Sequence, residues 1–167
     1  IQINQGELYG LIGPNGAGKT TVFNLLTGVY KPTEGIIKLD GVDITGKNPI
    51  EINKAGVART FQNIRLFQKM SVLDNVMVGM HVKTRLPFPQ NLIPGRVDKV
   101  RKEAEARAEE LLKILGLYEV RYEMATSLPY GDQRKVEICR ALAIEPKLLL
   151  LDEPAAGMNE VETEELR

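Results

Sequence analysis

The chain has 167 residues, of which 43% are hydrophobic and 26% charged, and this composition fits one globular domain with a core of its own. Its 22 Lys and Arg balance its 22 Asp and Glu, so charge gives no support for a nucleic-acid binder that works by bulk electrostatics. The single cysteine, Cys139, excludes an intramolecular disulfide framework and a cysteine-only zinc site, and no apolar stretch approaches the roughly 20 residues that span a bilayer.

The first third of the chain predicts short strands around a glycine-rich loop. Residues 1–3 and 8–12 have the composition and alternation of strands, and residues 19–27 have the apolar spacing of a helix that Gly28 ends. The dipeptide Asp40-Gly41 is favoured in two-residue hairpin turns, which predicts strands at 36–39 and 42–44. A further short strand is expected at 56–61.

The rest of the chain is mainly helical in its patterning. A capping pattern predicts a helix that starts after Ser71, and apolar positions at helical spacing predict helices at 97–115 and 132–144. Cys139 lies on the apolar face of the second of these and is predicted to be a small buried hydrophobe. Prolines between residues 84 and 95 indicate a loop, and Leu148–Leu151 is predicted to be a fully buried strand because all four residues are apolar. The order of the predicted strands and helices along the chain indicates an α/β fold with an inserted helical lobe.

Residues 13–20 read Gly-Pro-Asn-Gly-Ala-Gly-Lys-Thr and satisfy the phosphate-loop pattern. Glycines let successive backbone N–H groups face phosphate oxygens, Lys19 reaches the outer phosphates, and the hydroxyl of Thr20 is a Mg²⁺ ligand. The alternative is a glycine turn with an incidental lysine, but the loop lies between a predicted strand and a predicted helix, as the mechanism requires. The predicted nucleotide-contacting residues here are Gly13, Pro14, Asn15, Gly16, Ala17, Gly18, Lys19, Thr20 and Thr21.

A second candidate site follows the strand at 148–151. This strand would deliver Asp152 to the edge of the sheet beside the phosphate loop, where its carboxylate can hold Mg²⁺ or the waters around it. Glu153 follows directly and would orient or deprotonate an attacking water. Taken alone, a hydrophobic strand that ends in Asp-Glu is equally consistent with simple strand termination, and the phosphate loop is what favours the functional interpretation.

Four motifs in this order resemble the nucleotide-binding subunit of an ATP-binding cassette (ABC) transporter: residues 13–21, Gln62 within 60–63, residues 128–134 and residues 148–154. The resemblance implies a P-loop NTPase fold of the ABC type, with an antiparallel β edge and a helical lobe at approximately 68–145. The chain starts without Met in a strand-like stretch and stops in a helix-like one. We therefore expect residues 1–167 to be a partial nucleotide-binding domain, truncated at both ends.

The resemblance also implies roles for individual residues. Gln62 would act with Glu153 in catalysis and would sense Mg²⁺ together with Thr20 and Asp152. Three residues at the start of a helix would face the γ-phosphate held by a second ATPase subunit, and residues 156–159 would contact that subunit. The three are Tyr130, Gly131 and Asp132.

The sequence departs from the usual signature of the family, Leu-Ser-Gly-Gly-Gln. Pro129 replaces the serine, Tyr130 the first glycine and Asp132 the glutamine. Because Pro129 has neither a hydroxyl nor an N–H, one donor to the γ-phosphate is lost. These departures put the rate of turnover in doubt, not the fold.

Residues 130–134 and 154–159, with the long segment 81–108, are similar to the ATPases of branched-chain amino acid importers. The resemblance therefore implies an ATPase that uses ATP and Mg²⁺ to power import of branched-chain amino acids. Its partners would be a second cassette in a homo- or heterodimer, membrane-spanning permease subunits and, indirectly, a substrate-binding protein, with no nucleic acid. It would lie on the cytoplasmic face of the plasma membrane, held there by the permease.

Three alternatives stay open at this point. The cassette can belong to another ABC transporter, for urea, an amide or lipopolysaccharide, because other subunits recognise the substrate. It can also be a non-transport ABC ATPase, although the helix at 97–115 is too short for the coiled-coil insertion common in that class. The third is a fragment that only binds nucleotide or is inactive, because the switch histidine and the adenine-stacking aromatic of the family lie outside the chain. The single histidine, His81, precedes the second motif and is interpreted as an ordinary residue of the lobe.

Overall fold

The computed structural model describes residues 1–60, 63–81 and 95–156, which fall into two compact units. The first unit comprises residues 1–58 and 147–150, and the second comprises the described residues of 59–146 and 151–167. Most of the predicted loop at 84–95 lies outside the described residues.

The first unit contains a helix after the glycine-rich loop and a short hairpin, both as predicted. Helix α1 is Lys19–Leu26, and the hairpin pairs β1 (Lys38–Leu39) antiparallel with β2 (Val42–Asp43). Asp40 and Gly41 both have positive φ, 52° and 76°, which matches the twist of hairpin strands. The predicted strand at 56–61 is β3 (Val57–Arg59), and β4 (Leu148–Leu150) pairs with it.

Helix α2 (Pro49–Ala55) was not predicted, although its start carries a recognisable sequence signal. The side chain of Asn48 accepts a hydrogen bond from the backbone N–H of Glu51 at 3.0 Å, and the Glu51 carboxylate accepts from the N–H of Asn48 at 3.0 Å. This reciprocal capping, with proline at the first helical position, is a common way to start a helix.

Two strand predictions near the glycine-rich loop are wrong. Residues 1–3 and 8–12 form no strand, and their apolar side chains are exposed, as in Leu8 at 98%, except that of Leu11, which is half-buried. A turn in which the Glu7 N–H donates to the Asn4 carbonyl at 3.1 Å is present between them. Apolar alternation gives a strand only where a neighbouring strand pairs with its backbone and another element covers its face, and no described residue does this here.

The strand at 148–151 is present but is not fully buried. Leu150 is buried, whereas Leu148 and Leu149 are half-buried. Among the described residues β4 pairs with β3 alone, so it lacks the neighbours on both sides that bury a central strand. The core of this unit contains Ile44, Ile52, Val57 and Leu150.

Among its described residues, the second unit contains three helices, all of them predicted. They are α3 (Val72–Gly79), α4 (Arg96–Ile114) and α5 (Tyr130–Leu142), with a 3₁₀ turn at Ala125–Ser127. Ser71 caps α3 as expected, since its side chain accepts from the N–H of Asp74. Helix α5 starts two residues before the predicted position. No helix in the described part of the chain combines the length and apolarity that crossing a bilayer requires.

The core of the second unit contains the apolar faces of all three helices, including Val76, Leu112, Val136 and Cys139. Cys139 is a buried free cysteine, as predicted, and desolvation raises the pKa of its thiol to about 12. The side-chain amide of Asn75, which is fully buried, accepts from the N–H of Phe67 at 2.8 Å and donates to the carbonyl of Ser71 at 2.9 Å. Its side chain thereby ties the segment before α3 to the helix.

Helices α3 and α5 approach closely at Gly79. A Cβ at this position would lie 2.3 Å from the carbonyl oxygen of Arg140, so only a residue without a side chain fits. The contact is with backbone, which cannot move aside as a flexible side chain would.

We expect Gly79→Ala to lower the free energy of unfolding by about 1–3 kcal/mol, because the added methyl group forces the two helices apart. Denaturant unfolding followed by circular dichroism measures this change. Gly10→Ala is the matched control, because a Cβ at Gly10 meets no atom within 4 Å and the backbone φ there is not positive. A Gly79→Ala variant as stable as the control would contradict the close approach.

Candidate functional site

The phosphate loop in the first unit leads directly into helix α1. Gly16 and Gly18 have φ of 83° and 86°, a region that glycine adopts at little cost. Gly18 is the N-cap of α1 and provides no side-chain cap, and the first turn of the helix contains no acidic residue. The N–H groups at the start of α1 and the positive end of its dipole can therefore receive an anion.

Lys19 places a positive charge over the same loop. Its ammonium donates hydrogen bonds to the carbonyl oxygens of Gly13 and, at 2.9 Å, of Pro14. Thr20 and Thr21 follow on the first turn of α1 and are exposed. The loop thus combines backbone donors, an ammonium and hydroxyl groups, which is the donor set that phosphate oxygens require.

In the second unit, Asp152 is oriented by two contacts. Its carboxylate Oδ2 lies 2.9 Å from Nη2 of Arg59, and both side chains are largely buried, with 19% and 9% exposed. The backbone N–H of Asp152 also donates to the hydroxyl of Thr60 at 3.4 Å. Sequence reasoning missed Arg59 as a partner, because the residues are far apart in the chain and nothing local links them.

Glu153 lies in a strained backbone conformation. Its φ is 48°, in the left-handed region that non-glycine residues rarely adopt, and its side chain is exposed. Its carbonyl accepts a hydrogen bond from the N–H of Ala156 at 3.0 Å, which closes a turn directly after Asp152.

A buried arginine, Arg134, holds this turn from helix α5. Its Nη2 donates to the carbonyl oxygens of Asp152 at 2.6 Å and Glu153 at 3.2 Å, and its Nε donates to the carbonyl of Pro154 at 3.4 Å. Its Nη1 donates to the carboxylate of Glu137 at 2.6 Å. Sequence analysis included Arg134 only within a motif, although an Arg–Glu pair at i,i+3 on a predicted helix was a usable signal.

The signature residues occupy the first turn of α5. Tyr130 is exposed, Gly131 is buried, and Asp132 is half-buried with its carboxylate 3.5 Å from the ammonium of Lys135. Pro129 is the N-cap and makes no side-chain capping bond. The acidic Asp132 complements the positive end of the helix.

The predicted site residues thus fall into two groups, each within its own unit. The phosphate loop belongs to the first unit, and Asp152, Glu153 and the signature residues belong to the second. The closeness of Asp152 to the phosphate loop stays a prediction. Gln62 and residues 157–159 lie outside the described part of the chain.

A family model described as ABC transporter matches residues 1–156. The chain belongs to the ABC transporter family. The predicted fold class, an α/β cassette of this family, is confirmed by a nucleotide-free ATP-binding cassette from an ABC transporter. That structure has a TM-score of 0.81 and 33% identity, over 99% of this chain and 65% of the other.

Two relatives of this cassette have names that state a substrate. It is 46% identical to the high-affinity branched-chain amino acid transport ATP-binding protein LivG of Salmonella typhimurium, over 99% of the chain and 66% of the relative. It is 42% identical to BraF of Pseudomonas aeruginosa, a protein with the same description, over 100% of the chain and 66% of the relative. The cassette therefore spans just under two thirds of the length of these relatives.

Lys19→Met is expected to weaken binding of ATP at least tenfold, because a charge-assisted hydrogen bond contributes about 1.5–3 kcal/mol. Isothermal titration calorimetry of the whole protein with ATP measures the dissociation constant. Lys31→Met, the same substitution at an exposed position of the same unit, is expected to bind ATP as the wild type does. Equal affinities for the two variants would contradict the assignment of the loop.

Proposed function

We propose that the whole protein is the ATP-hydrolysing subunit of an ABC importer that carries branched-chain amino acids. The observation that carries this proposal is the 46% identity to LivG, which extends over 99% of the chain. The names of the relatives favour branched-chain amino acids over the urea, amide and lipopolysaccharide alternatives. They also favour a transporter over a non-transport ATPase.

The phosphate loop is the proposed ATP site. The carbonyls of Gly13 and Pro14 accept hydrogen bonds from the Lys19 ammonium. The β- and γ-phosphates carry full negative charge and would attract this ammonium more strongly than neutral carbonyls do. The N–H groups at the start of α1 would complete the cradle.

The proposed metal is Mg²⁺, and the residues present suit it. Mg²⁺ prefers oxygen ligands and commonly uses one or two protein groups together with nucleotide phosphates. The expected protein oxygens are the hydroxyl of Thr20 and the carboxylate of Asp152, with Gln62 as a third candidate. The described residues contain no cluster of three or more His, Cys, Asp or Glu that could hold a metal. When bound, the ion would neutralise phosphate charge.

Glu153 is the proposed general base for the attacking water, with Gln62 as the second catalytic residue. The side chain of Glu153 is exposed and therefore accessible to water and nucleotide. Its backbone conformation is held by Arg134 and by the turn to Ala156. A carboxylate on such a backbone can orient water and accept its proton as the water oxygen bonds to the γ-phosphorus and the bond from that phosphorus to the ADP oxygen breaks.

Assembly with a second ATPase subunit is proposed to complete the site. Tyr130, Gly131 and Asp132 lie at the start of α5, and N–H groups at a helix start suit a phosphate. They would contact the γ-phosphate held by the partner, and residues 156–159 would contact the partner itself.

The lobe at approximately 68–145 and Gln62 would transmit the motion of the ATPase subunits to permease subunits. The subunit would thereby be held at the cytoplasmic face of the membrane, with a substrate-binding protein acting on the other side.

Glu153→Gln is expected to lower kcat for ATP hydrolysis by at least about 100-fold, because the amide cannot accept the proton of the attacking water. Binding of ATP is expected to persist, so the variant should retain ATP unhydrolysed. A phosphate-release assay and a filter-binding assay with labelled ATP measure the two quantities. Glu119→Gln, at an exposed position of the same unit, is the control. Normal hydrolysis by Glu153→Gln would remove the assigned role.

Cells that produce the whole protein with its permease and substrate-binding protein are expected to import labelled leucine, isoleucine and valine. Import should stop in the Glu153→Gln variant, because transport depends on turnover of ATP. Uptake assays with each labelled amino acid and, separately, with labelled urea measure the import. Import of urea without import of the branched-chain amino acids would move the protein to the alternative substrate class.

A further inference from the structure

We propose that Arg134 is the positioning residue for Glu153: it holds the backbone that places the Glu153 carboxylate to accept a proton from the water that attacks ATP. The proposal rests on the function assigned above to Glu153. Arg134 acts through the backbone on both sides of Glu153.

The contacts of Arg134 cover the whole turn. One guanidinium donates to three consecutive carbonyl oxygens, those of Asp152 at 2.6 Å, Glu153 at 3.2 Å and Pro154 at 3.4 Å. Arginine presents five N–H donors in a planar and rigid arrangement, so it can bind several acceptors in one fixed geometry. A lysine ammonium on a flexible stem cannot reproduce this arrangement.

The turn at Glu153 needs external support. Its φ of 48° is unfavourable for a non-glycine residue, and such conformations persist only where their surroundings over-determine them. The following residue is Pro154, which further restricts the backbone before it. Hydrogen bonds to the carbonyls before, at and after the strained position are the support that the second unit provides.

The guanidinium is itself held in place by a buried carboxylate. Arg134 and Glu137 each have 1% of the side chain exposed, and Nη1 lies 2.6 Å from Oε2 of Glu137. The other oxygen of Glu137 lies 3.6 Å from Nη2 of Arg140, and Nη1 of Arg140 donates to the carbonyl of Arg65 at 2.6 Å. A buried ion pair contributes little net stability compared with apolar residues of similar size, so geometry is the physical reason that we assign to this one.

The expected catalytic effect follows from the distances. If the Glu153 carboxylate moves by about 1 Å, the rate of the chemical step falls by the order of 100-fold, because proximity and orientation are lost. Binding of ATP at the phosphate loop uses other residues. Loss of Arg134 should therefore reduce kcat and leave KM for ATP nearly unchanged.

Two variants of the whole protein test the proposal. Arg134→Met combined with Glu137→Met removes the guanidinium together with the carboxylate that pairs with it, and Arg134→Lys retains the charge but removes the planar donor array. The control is Arg107→Met combined with Glu110→Met. This ion pair has the same i,i+3 spacing on α4.

Each variant is measured in two ways. Hydrogen exchange followed by mass spectrometry reports the protection of residues 152–156, whose Ala156 N–H closes the turn. Steady-state kinetics report kcat and KM for ATP. In both Arg134 variants we expect exchange at 152–156 to accelerate at least tenfold, kcat to fall at least 30-fold and KM to change less than threefold. Exchange in α3 and α4 should stay as in the control.

Exchange at 152–156 that matches the wild type in both variants would overturn the proposal, and so would a kcat within threefold of the wild type. Acceleration across α3 and α4 in both variants would also overturn it, because it would indicate a general role in folding. Hydrolysis by the wild type is assayed in parallel. A wild type without ATPase activity would contradict the proposed function, whereas the exchange experiment would still decide whether Arg134 holds the turn.

Discussion

The position of the segment at residues 152–154 depends on the buried ion pair between Arg134 and Glu137. This ion pair lies on α5, whose first turn carries the signature residues and whose middle packs into the core through Val136 and Cys139. From this helix the guanidinium reaches the carbonyls of residues 152–154. One helix therefore fixes the place of the signature and the backbone of the candidate base. A buried guanidinium that donates to several carbonyls at once permits few other arrangements of these segments.

Close backbone packing joins α3 to α5. Gly79 of α3 lies against the carbonyl of Arg140 in α5. The side chain of Asn75 ties the segment before α3 to α3 itself. Both residues act through the absence or the polarity of a side chain, not through apolar area. The lobe thus combines an apolar core with a few polar contacts that each fix one segment.

The phosphate loop follows a different principle. It has few side-chain contacts, and its shape comes from left-handed glycines and from the start of α1. A backbone cradle of this kind is encoded locally, which is why eight consecutive residues were enough to predict it. Arg59 and Arg134 contact the 152–154 segment from distant parts of the chain. No local pattern links such residues, so the sequence indicated Asp152 and Glu153 but not what holds them.

Sequence patterns were enough to predict the helices described in the lobe, the Asp-Gly hairpin, the phosphate loop and the family. These features depend on periodicity, capping and turn residues, which act over a few neighbouring residues. Sequence reasoning missed α2 although the capping signal at Asn48 was present, and it predicted strands at 1–3 and 8–12 that the structure does not contain. Tertiary structure alone decided those strands and the half-burial of Leu148, because a strand exists and is buried only through partners elsewhere in the chain. It also decided the contacts of Arg134, since a charged side chain is buried only where distant acceptors satisfy its hydrogen bonds.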